Sequence, residues 1–171
     1  GLSKDGETIL HQLVSDPYTG EKTQLLTRQA AAMVANQVRK EHNPASYERG
    51  VNLLIAELSK SDHQARLRQL LEGLGNAGHP KTLQAVKPFL THERKFVRVA
   101  AFESLRLNYS EQATRLYLDA LSQNGHRQYI RTRVLPLVYH LKMTPSLMRE
   151  YGDYLHKESK VSTLKNALQA L

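Results

Sequence analysis

The chain has 171 residues and carries 24 Lys and Arg against 16 Asp and Glu, a formal charge of +8. It contains no cysteine, which excludes a disulfide framework and a thiolate metal site. A hydrophobic share of 40% and a charged share of 23% are typical of a globular protein rather than a disordered one.

Helical spacing of apolar residues runs along nearly the whole chain, while strand signals are few. The pattern predicts a short helix near 5–15, then helices at about 22–41, 47–59, 63–74, 80–91, 94–107, 110–123, 127–142, 145–156 and 160–171. Prolines at or near helix starts, among them Pro44, Pro80 and Pro145, agree with these boundaries. We therefore expect an all-α fold of about nine to ten helices.

Two ladders of apolar residues recur with one period of 31 to 34 residues. The ladder of the first helices contains Leu54, Val86, Tyr117 and Tyr151, with a parallel set at Leu58, Leu90, Leu121 and Leu155. The ladder of the second helices contains triads that begin at Leu70, Ala101, Val134 and Ala167. This period predicts one α-solenoid domain over 1–171, with divergent N-terminal helices at 1–46 and four helical-hairpin repeats at 47–171. Because the chain begins with Gly1 and ends on an uncapped apolar stripe, we expect it to be a fragment of a larger protein.

Several residues of these units resemble HEAT-type repeats. They are Asp62 with Arg66, the run Val97-Arg98-Val99-Ala100-Ala101 with Leu105, and Ile130-Arg131 with Val134 and Val138. The resemblance implies a right-handed α-α superhelix whose second helices line the inner curve. We expect Arg98 and Arg131, at equivalent positions on the edge of the buried stripe, to brace neighbouring turns.

Residues 70–90, LLEGLGNAGHPKTLQAVKPFL, are similar to a stretch in the helical domain of large lipid transfer proteins, the vitellogenin and apolipoprotein B group. The matching residues are Leu74 through Pro80 and then Phe89-Leu90. In that family β-sheets build the lipid cavity, so the resemblance implies the scaffold part of such a protein and assigns no lipid-contacting residue.

The glycines Gly73, Gly75 and Gly78 spell G-x-G-x-x-G. A dinucleotide site needs a strand before these glycines, whereas here a helical pattern precedes them. We expect Gly75 and Gly78 to adopt positive φ at the end of a helix and Gly73 to permit close helix packing.

Other chemical motifs also favour structural roles. His63, His92, His126 and His156 recur near turns, but no carboxylate recurs beside them, so we predict no metal site. The chain has neither a G-x-S-x-G elbow nor a phosphate-binding loop, and we predict no cofactor and no enzyme activity. The sequon Asn108-Tyr109-Ser110 is interpreted as a turn in which Ser110 caps the next helix.

The positive charge is concentrated in the middle of the chain. Residues 63–142 contain 13 basic and 5 acidic side chains, and most of the basic ones lie on the second helices. A basic inner surface attracts an anionic partner, although such a surface can also serve only solubility. The predicted contact residues are Arg94, Lys95, Arg106, Arg127 and Arg133.

Three functions follow as hypotheses. The first is a non-catalytic scaffold that binds a protein partner with an acidic surface through the concave basic face. The second is the scaffold domain of a lipid-transfer protein, with lipid headgroups as partners. The third is nucleic-acid binding, for which Tyr129 beside Arg127 and Arg131 is a single stacking platform. No run of apolar residues is long enough to cross a membrane, and the sequence does not indicate the compartment.

Overall fold

The computed structural model describes residues 44–106, 108–123 and 128–156. The helices predicted at 5–15, 22–41 and 160–171 lie outside these residues. The described part is entirely helical and contains no strand, as the sequence predicts.

Seven α-helices and two 3₁₀ helices make up the described part of the chain. The α-helices are α1 (Pro44–Lys60), α2 (Gln64–Ala77), α3 (Thr82–Val86), α4 (Lys95–Ser104), α5 (Glu111–Gln123), α6 (Gln128–Val134) and α7 (Pro145–His156). The 3₁₀ helices η1 (Lys87–Thr91) and η2 (Leu135–His140) continue α3 and α6 without a break.

Proline divides two of the predicted helices. The segments 80–91 and 127–142 are each expected as one helix, but each changes from α to 3₁₀ geometry at Lys87 and at Leu135. Pro88 and Pro136 are the second residues of η1 and η2. Because proline has no amide hydrogen and its ring clashes with the preceding turn, it interrupts the regular α-helical bonding there.

The described helices pack in two layers. In one layer α2, α4 and α6 lie side by side in chain order, and in the other α1 contacts α3, η1 contacts α5, and α5 contacts α7. The layers are joined where α1 packs on α2 and η1 packs on α4. We call α2, α4 and α6 the second-helix layer, because each follows its partner in the chain.

The apolar ladders form the core between the layers. Leu54, Val86, Tyr117 and Tyr151 are all fully or almost fully buried, at 0–1% exposure. The Tyr117 ring meets Phe102 edge to face at a centroid distance of 5.0 Å, and its hydroxyl donates a hydrogen bond to the Val134 carbonyl. The periodicity therefore identifies the core residues correctly wherever the structure describes them.

Side-chain hydrogen bonds connect positions about one repeat apart in the chain. Their sequence separations are 28 to 32 residues, close to the period of the ladders. These bonds run from Tyr47 to the Ala77 carbonyl, Arg94 to the Asp62 carbonyl, Asn108 to the His79 carbonyl and Thr114 to the Lys142 carbonyl. Neighbouring hairpins are thus tied by polar contacts at their turns as well as by the apolar core.

The glycines differ in part from their predicted roles. Gly75 lies inside α2 rather than at a positive-φ turn, and among the described glycines only Gly78 has a positive φ, of 63°. A close helix approach is found at Gly75, where an added Cβ would lie 2.6 Å from the Ser104 Cα, while the packing role expected of Gly73 stays a prediction. A helix preceding the glycines and an α-helical Gly75 are incompatible with a dinucleotide loop.

Short polar side chains begin the later helices. The Ser110 hydroxyl accepts a hydrogen bond from the Ala113 amide at 3.1 Å, so the capping role predicted for Ser110 is confirmed. Asn108, the first residue of the sequon, is 3% exposed and accepts a hydrogen bond from the Ser110 hydroxyl. The side chain that a glycan would need is therefore held inside the turn.

Candidate partner-binding surface

Arg94 is exposed but engaged with its own chain. It immediately precedes α4, and its guanidinium donates a hydrogen bond to the Asp62 carbonyl at 3.0 Å while lying 3.6 Å from the Glu93 carboxylate. The contact with Asp62 ties the start of α4 to the turn between α1 and α2. Arg94 therefore has a structural contact as well as an exposed side chain.

Arg106 is half-buried, whereas the sequence predicts an exposed contact residue. Its guanidinium donates hydrogen bonds to the Asn76 side-chain oxygen at 2.6 Å and to the Glu103 carbonyl at 3.0 Å. The residue lies two positions beyond the end of α4, so these bonds fasten the end of α4 to α2. Arg106 therefore braces the end of α4 against α2.

The buried basic residues of the second-helix layer whose side chains the structure describes, Arg66 and Arg98, are also structural. Arg98, 5% exposed, donates to the His92 and Glu93 carbonyls and so ties α4 to the turn directly before it; bracing between neighbouring turns of the stack stays a prediction. Arg66 forms a buried ion pair with Glu57 on α1 at 3.0 Å. Arg127 and the side chain of Arg131 lie outside the described residues.

Lys95 and Arg133 belong to a group of cations and aromatic rings that we call the cation–aromatic cluster: Arg68, Lys95, Phe96, Tyr129 and Arg133. The rings of Phe96 on α4 and Tyr129 on α6 meet edge to face at a centroid distance of 5.7 Å. The Lys95 ammonium lies 5.1 Å from the Phe96 centroid and 4.8 Å from the Tyr129 centroid. Such distances are within the range of cation–π attraction.

Two arginines complete the cluster from either side. The Arg68 guanidinium of α2 lies 5.8 Å from the Phe96 centroid, and that of Arg133 lies 5.9 Å from the Tyr129 centroid. The cluster thus crosses all three helices of the second-helix layer. Two of the five predicted contact residues, Lys95 and Arg133, are brought together here.

One carboxyl moderates the charge of this surface. Glu103 is half-buried on α4, and burial raises its pKa, while Arg106, Arg68 and Arg133 act in the opposite direction. The arginines therefore favour the ionised form of Glu103 at neutral pH. The surface is a basic one with the half-buried Glu103 carboxylate at its edge, and not a uniform field of positive charge.

Phe96 and Arg68 are functional candidates that the sequence analysis does not single out. A signal for Phe96 is present, because Phe96 and Tyr129 are 33 residues apart, which is the repeat period. Stacked repeats bring equivalent residues side by side. The repeat period therefore predicts that the Phe96 and Tyr129 rings lie in equivalent positions of neighbouring repeats.

The histidines near the turns serve as local hydrogen-bond acceptors. The Nδ1 atom of His92 accepts a hydrogen bond from the Arg94 backbone amide at 3.0 Å. The Nδ1 atom of His79 accepts one from the Lys81 backbone amide at 3.1 Å. Burial is the main cause that lowers the pKa of both imidazoles. Within the described ranges no group of three or more His, Asp or Glu side chains is placed to hold a metal ion.

Comparison with known protein families identifies the family of this helical chain. Residues 8–167 match the family model described as the vitellogenin TPR domain. The chain belongs to the vitellogenin TPR domain family. The membership agrees with the local resemblance of residues 70–90 to the helical domain of lipid transfer proteins. No curated protein and no solved structure gives a significant match.

The length of the repeat agrees with the term TPR in the family description. Tetratricopeptide (TPR) units have about 34 residues, whereas HEAT units have about 40 to 47. The ladders of this vitellogenin-type chain recur every 31 to 34 residues, which is nearer the first value. Among the described helices, none is both long and apolar enough to span a membrane.

Proposed function

We propose that this chain is the non-catalytic helical scaffold domain of a longer lipid-transfer protein of the vitellogenin type. The observation that carries the proposal is the family match over residues 8–167. The described helices support it, because their buried apolar residues join successive hairpins into one core and leave the helices to act as a framework.

The proposed architecture is a right-handed superhelix of four hairpin repeats over 47–171 after divergent helices over 1–46. The two helix layers and the hydrogen bonds between residues 28 to 32 positions apart support a stacked arrangement. In a curved stack of this kind the second helices form the inner surface, and the exposed basic residues of the second-helix layer are therefore proposed to face the partner.

Within this scaffold role we propose that the second-helix layer docks a polypeptide rather than a lipid. In the lipid transfer proteins that the chain resembles, β-sheets build the lipid cavity. The described part of this chain contains no β-strand. The polar contacts of Arg94 and Arg106 hold helices together, while the cation–aromatic cluster presents charge outward. A docking surface needs both a rigid support and exposed charge, and this layer supplies both.

Lipid analysis tests the scaffold proposal. The longer protein and the 171-residue chain are purified in parallel, extracted with organic solvent and analysed for phospholipid and neutral lipid by mass spectrometry. We expect lipid to accompany the longer protein and to be missing from the chain alone. A longer protein without lipid would contradict the lipid-transfer role, and stoichiometric lipid on the isolated chain would show that these helices are the container.

A further inference from the structure

The cation–aromatic cluster contains three exposed cations that form no ion pair with a carboxylate of the described residues, although Arg68 and Arg133 interact electrostatically with Glu103. Arg68, Lys95 and Arg133 are exposed, and none forms an ion pair or a hydrogen bond with the described residues. Elsewhere several exposed cations contact carboxylates: Lys60 pairs with Glu57, Lys81 with Glu48 and Arg115 with Glu111. The cluster, by contrast, brings three exposed cations together around two aromatic rings.

The aromatic rings hold these cations in place. Lys95 lies over both rings, and Arg68 and Arg133 each lie near one of them, so each long side chain has a preferred position. A cation held over a ring keeps N–H donors that can bind an anion. Because part of the side-chain entropy is already lost before binding, less is lost when an anion arrives.

The positions of the cations disfavour nucleobases as ligands. Single-stranded nucleic acid binds by stacking bases on open aromatic faces. Here Lys95 lies over Phe96 and Tyr129, and the edge-to-face contact of the two rings leaves no parallel platform. A base would have to displace Lys95, which is the cation that would otherwise attract its phosphate.

The small apolar area disfavours a membrane. Phe96, at 39% exposure, is the one exposed large hydrophobic residue on α2, α4 or α6 among the described residues; Tyr109 and Met148 lie elsewhere. Stable interfacial binding needs a broad apolar face as well as basic charge. A single half-exposed ring among cations instead suits one apolar side chain of a peptide.

We propose that the cation–aromatic cluster is a docking site for an acidic polypeptide segment, with carboxylates bound by Lys95, Arg68 and Arg133 and an apolar side chain against Phe96. The site rests on the proposed scaffold function and specifies its partner. Charge complementarity selects the carboxylates, and the exposed edge of Phe96 selects a segment that carries at least one apolar residue among them.

Nuclear magnetic resonance of the ¹⁵N-labelled 171-residue chain tests the site. The probe is a synthetic peptide of alternating Glu and Leu, titrated at low and at near-physiological salt. We expect the largest amide shifts at Arg68, Lys95, Phe96, Tyr129 and Arg133. Shifts centred on other helices, or spread evenly over all basic residues, would overturn the proposal.

Two variants of equal charge separate the site from general attraction. In K95Q/R133Q two cations of the cluster are removed, and in K87Q/R115Q two exposed cations outside the second-helix layer are removed. We expect the first variant to bind the peptide at least about tenfold more weakly than wild type, and the second to stay within about twofold. Equal weakening in both variants would overturn the proposal.

Two further probes distinguish the other anionic ligands. Phosphatidylserine vesicles and oligothymidine are titrated into the same wild type and variants, after circular dichroism has shown that the folds are unchanged. The proposal expects both probes to bind less tightly than the peptide at near-physiological salt. Tighter, K95Q/R133Q-sensitive binding of vesicles or oligothymidine would overturn the peptide assignment, while the lipid content of the longer protein would still decide the scaffold role.

Discussion

Gly75 on α2 lies directly against Ser104 on α4. A Cβ built on Gly75 would be 2.6 Å from the Ser104 Cα and 3.1 Å from the Ser104 carbonyl oxygen. Both atoms belong to the backbone, so the contact cannot be relieved by a side-chain rotation. The absence of a side chain at position 75 therefore sets how closely α2 and α4 approach.

Gly75→Ala should destabilise the chain although alanine favours helices. Alanine gains about 1 kcal/mol of helix propensity over glycine, but pushing two helix backbones apart costs about 1–3 kcal/mol. We expect a lower free energy of unfolding in urea denaturation. Gly152→Ala is the matched control, because Gly152 is exposed within α7 and an added Cβ there meets nothing within 4 Å. It should stabilise the chain by up to about 1 kcal/mol; destabilisation by both variants would contradict the account.

Gly78 should resist substitution for a different reason. It follows the end of α2 with φ of 63°, and its amide donates to the Leu74 carbonyl at 3.2 Å. Side chains with a Cβ are disfavoured in this left-handed region, by roughly 1–2 kcal/mol for alanine and less for asparagine. We expect Gly78→Ala to lower the melting temperature more than Gly78→Asn. The reverse order would argue against a left-handed cap at this position.

The buried ion pair of Glu57 and Arg66 predicts a non-additive response. Both side chains are 8% exposed, and the Lys60 ammonium also lies 3.2 Å from the Glu57 carboxylate. Arg66→Met should cost about 3 kcal/mol, because it leaves a buried carboxylate without its main partner. The double variant E57L/R66M should cost less than R66M alone, as measured by urea denaturation. Arg115→Met, which removes an exposed arginine near Glu111 and Glu150, should cost under about 1 kcal/mol.

His79 and His92 should make stability depend on pH. Burial lowers the pKa of both imidazoles below 6.5, so the folded state favours their neutral forms. Lys81 also lowers the pKa of His79 and Glu48 opposes it, while Arg94 and Arg98 lower that of His92 and Glu93 opposes it. This contribution to stability is complete above the unfolded-state pKa of 6.5 and is lost as the pH falls through the lower folded-state values.

The variant H79N/H92N isolates the effect. The asparagine side-chain oxygen can accept a hydrogen bond from the same backbone amide, two residues further along the chain, but asparagine does not titrate. The melting temperature of wild type should fall between about pH 7.5 and pH 5.5, and that of the variant should fall less. A fall of equal size in both proteins would assign the pH dependence to other groups.

Much of the fold is predictable from the sequence because stacked helical hairpins repeat their burial pattern. Leu54, Val86 and Tyr117 lie one period apart, and each is fully buried. The change to 3₁₀ geometry at Pro88 is less evident, since the apolar spacing continues across it. The sequence shows where the prolines lie. Tertiary packing decides whether the helix ends there, bends or continues in 3₁₀ geometry.

The contact surface is less predictable, because exposure depends on partners in neighbouring repeats. Arg106 and Lys95 lie near opposite ends of α4, and Arg106 reaches Asn76 on α2 while Lys95 reaches Tyr129 on α6. Neither partner is local in the sequence. The charge count predicts a basic surface on the second helices, but which cations brace helices and which face outward depends on these tertiary contacts.

Photo-crosslinking from position 96 in the longer protein tests the central claim most directly. The photoreactive amino acid p-benzoylphenylalanine replaces Phe96, with the same replacement at exposed Met148 on α7 as control. The account predicts a light-dependent crosslink from position 96 to an Asp- and Glu-rich peptide, reduced by K95Q/R133Q and missing from position 148. Crosslinks from position 96 only to lipid or nucleic acid, or the same peptide from both positions, would contradict it.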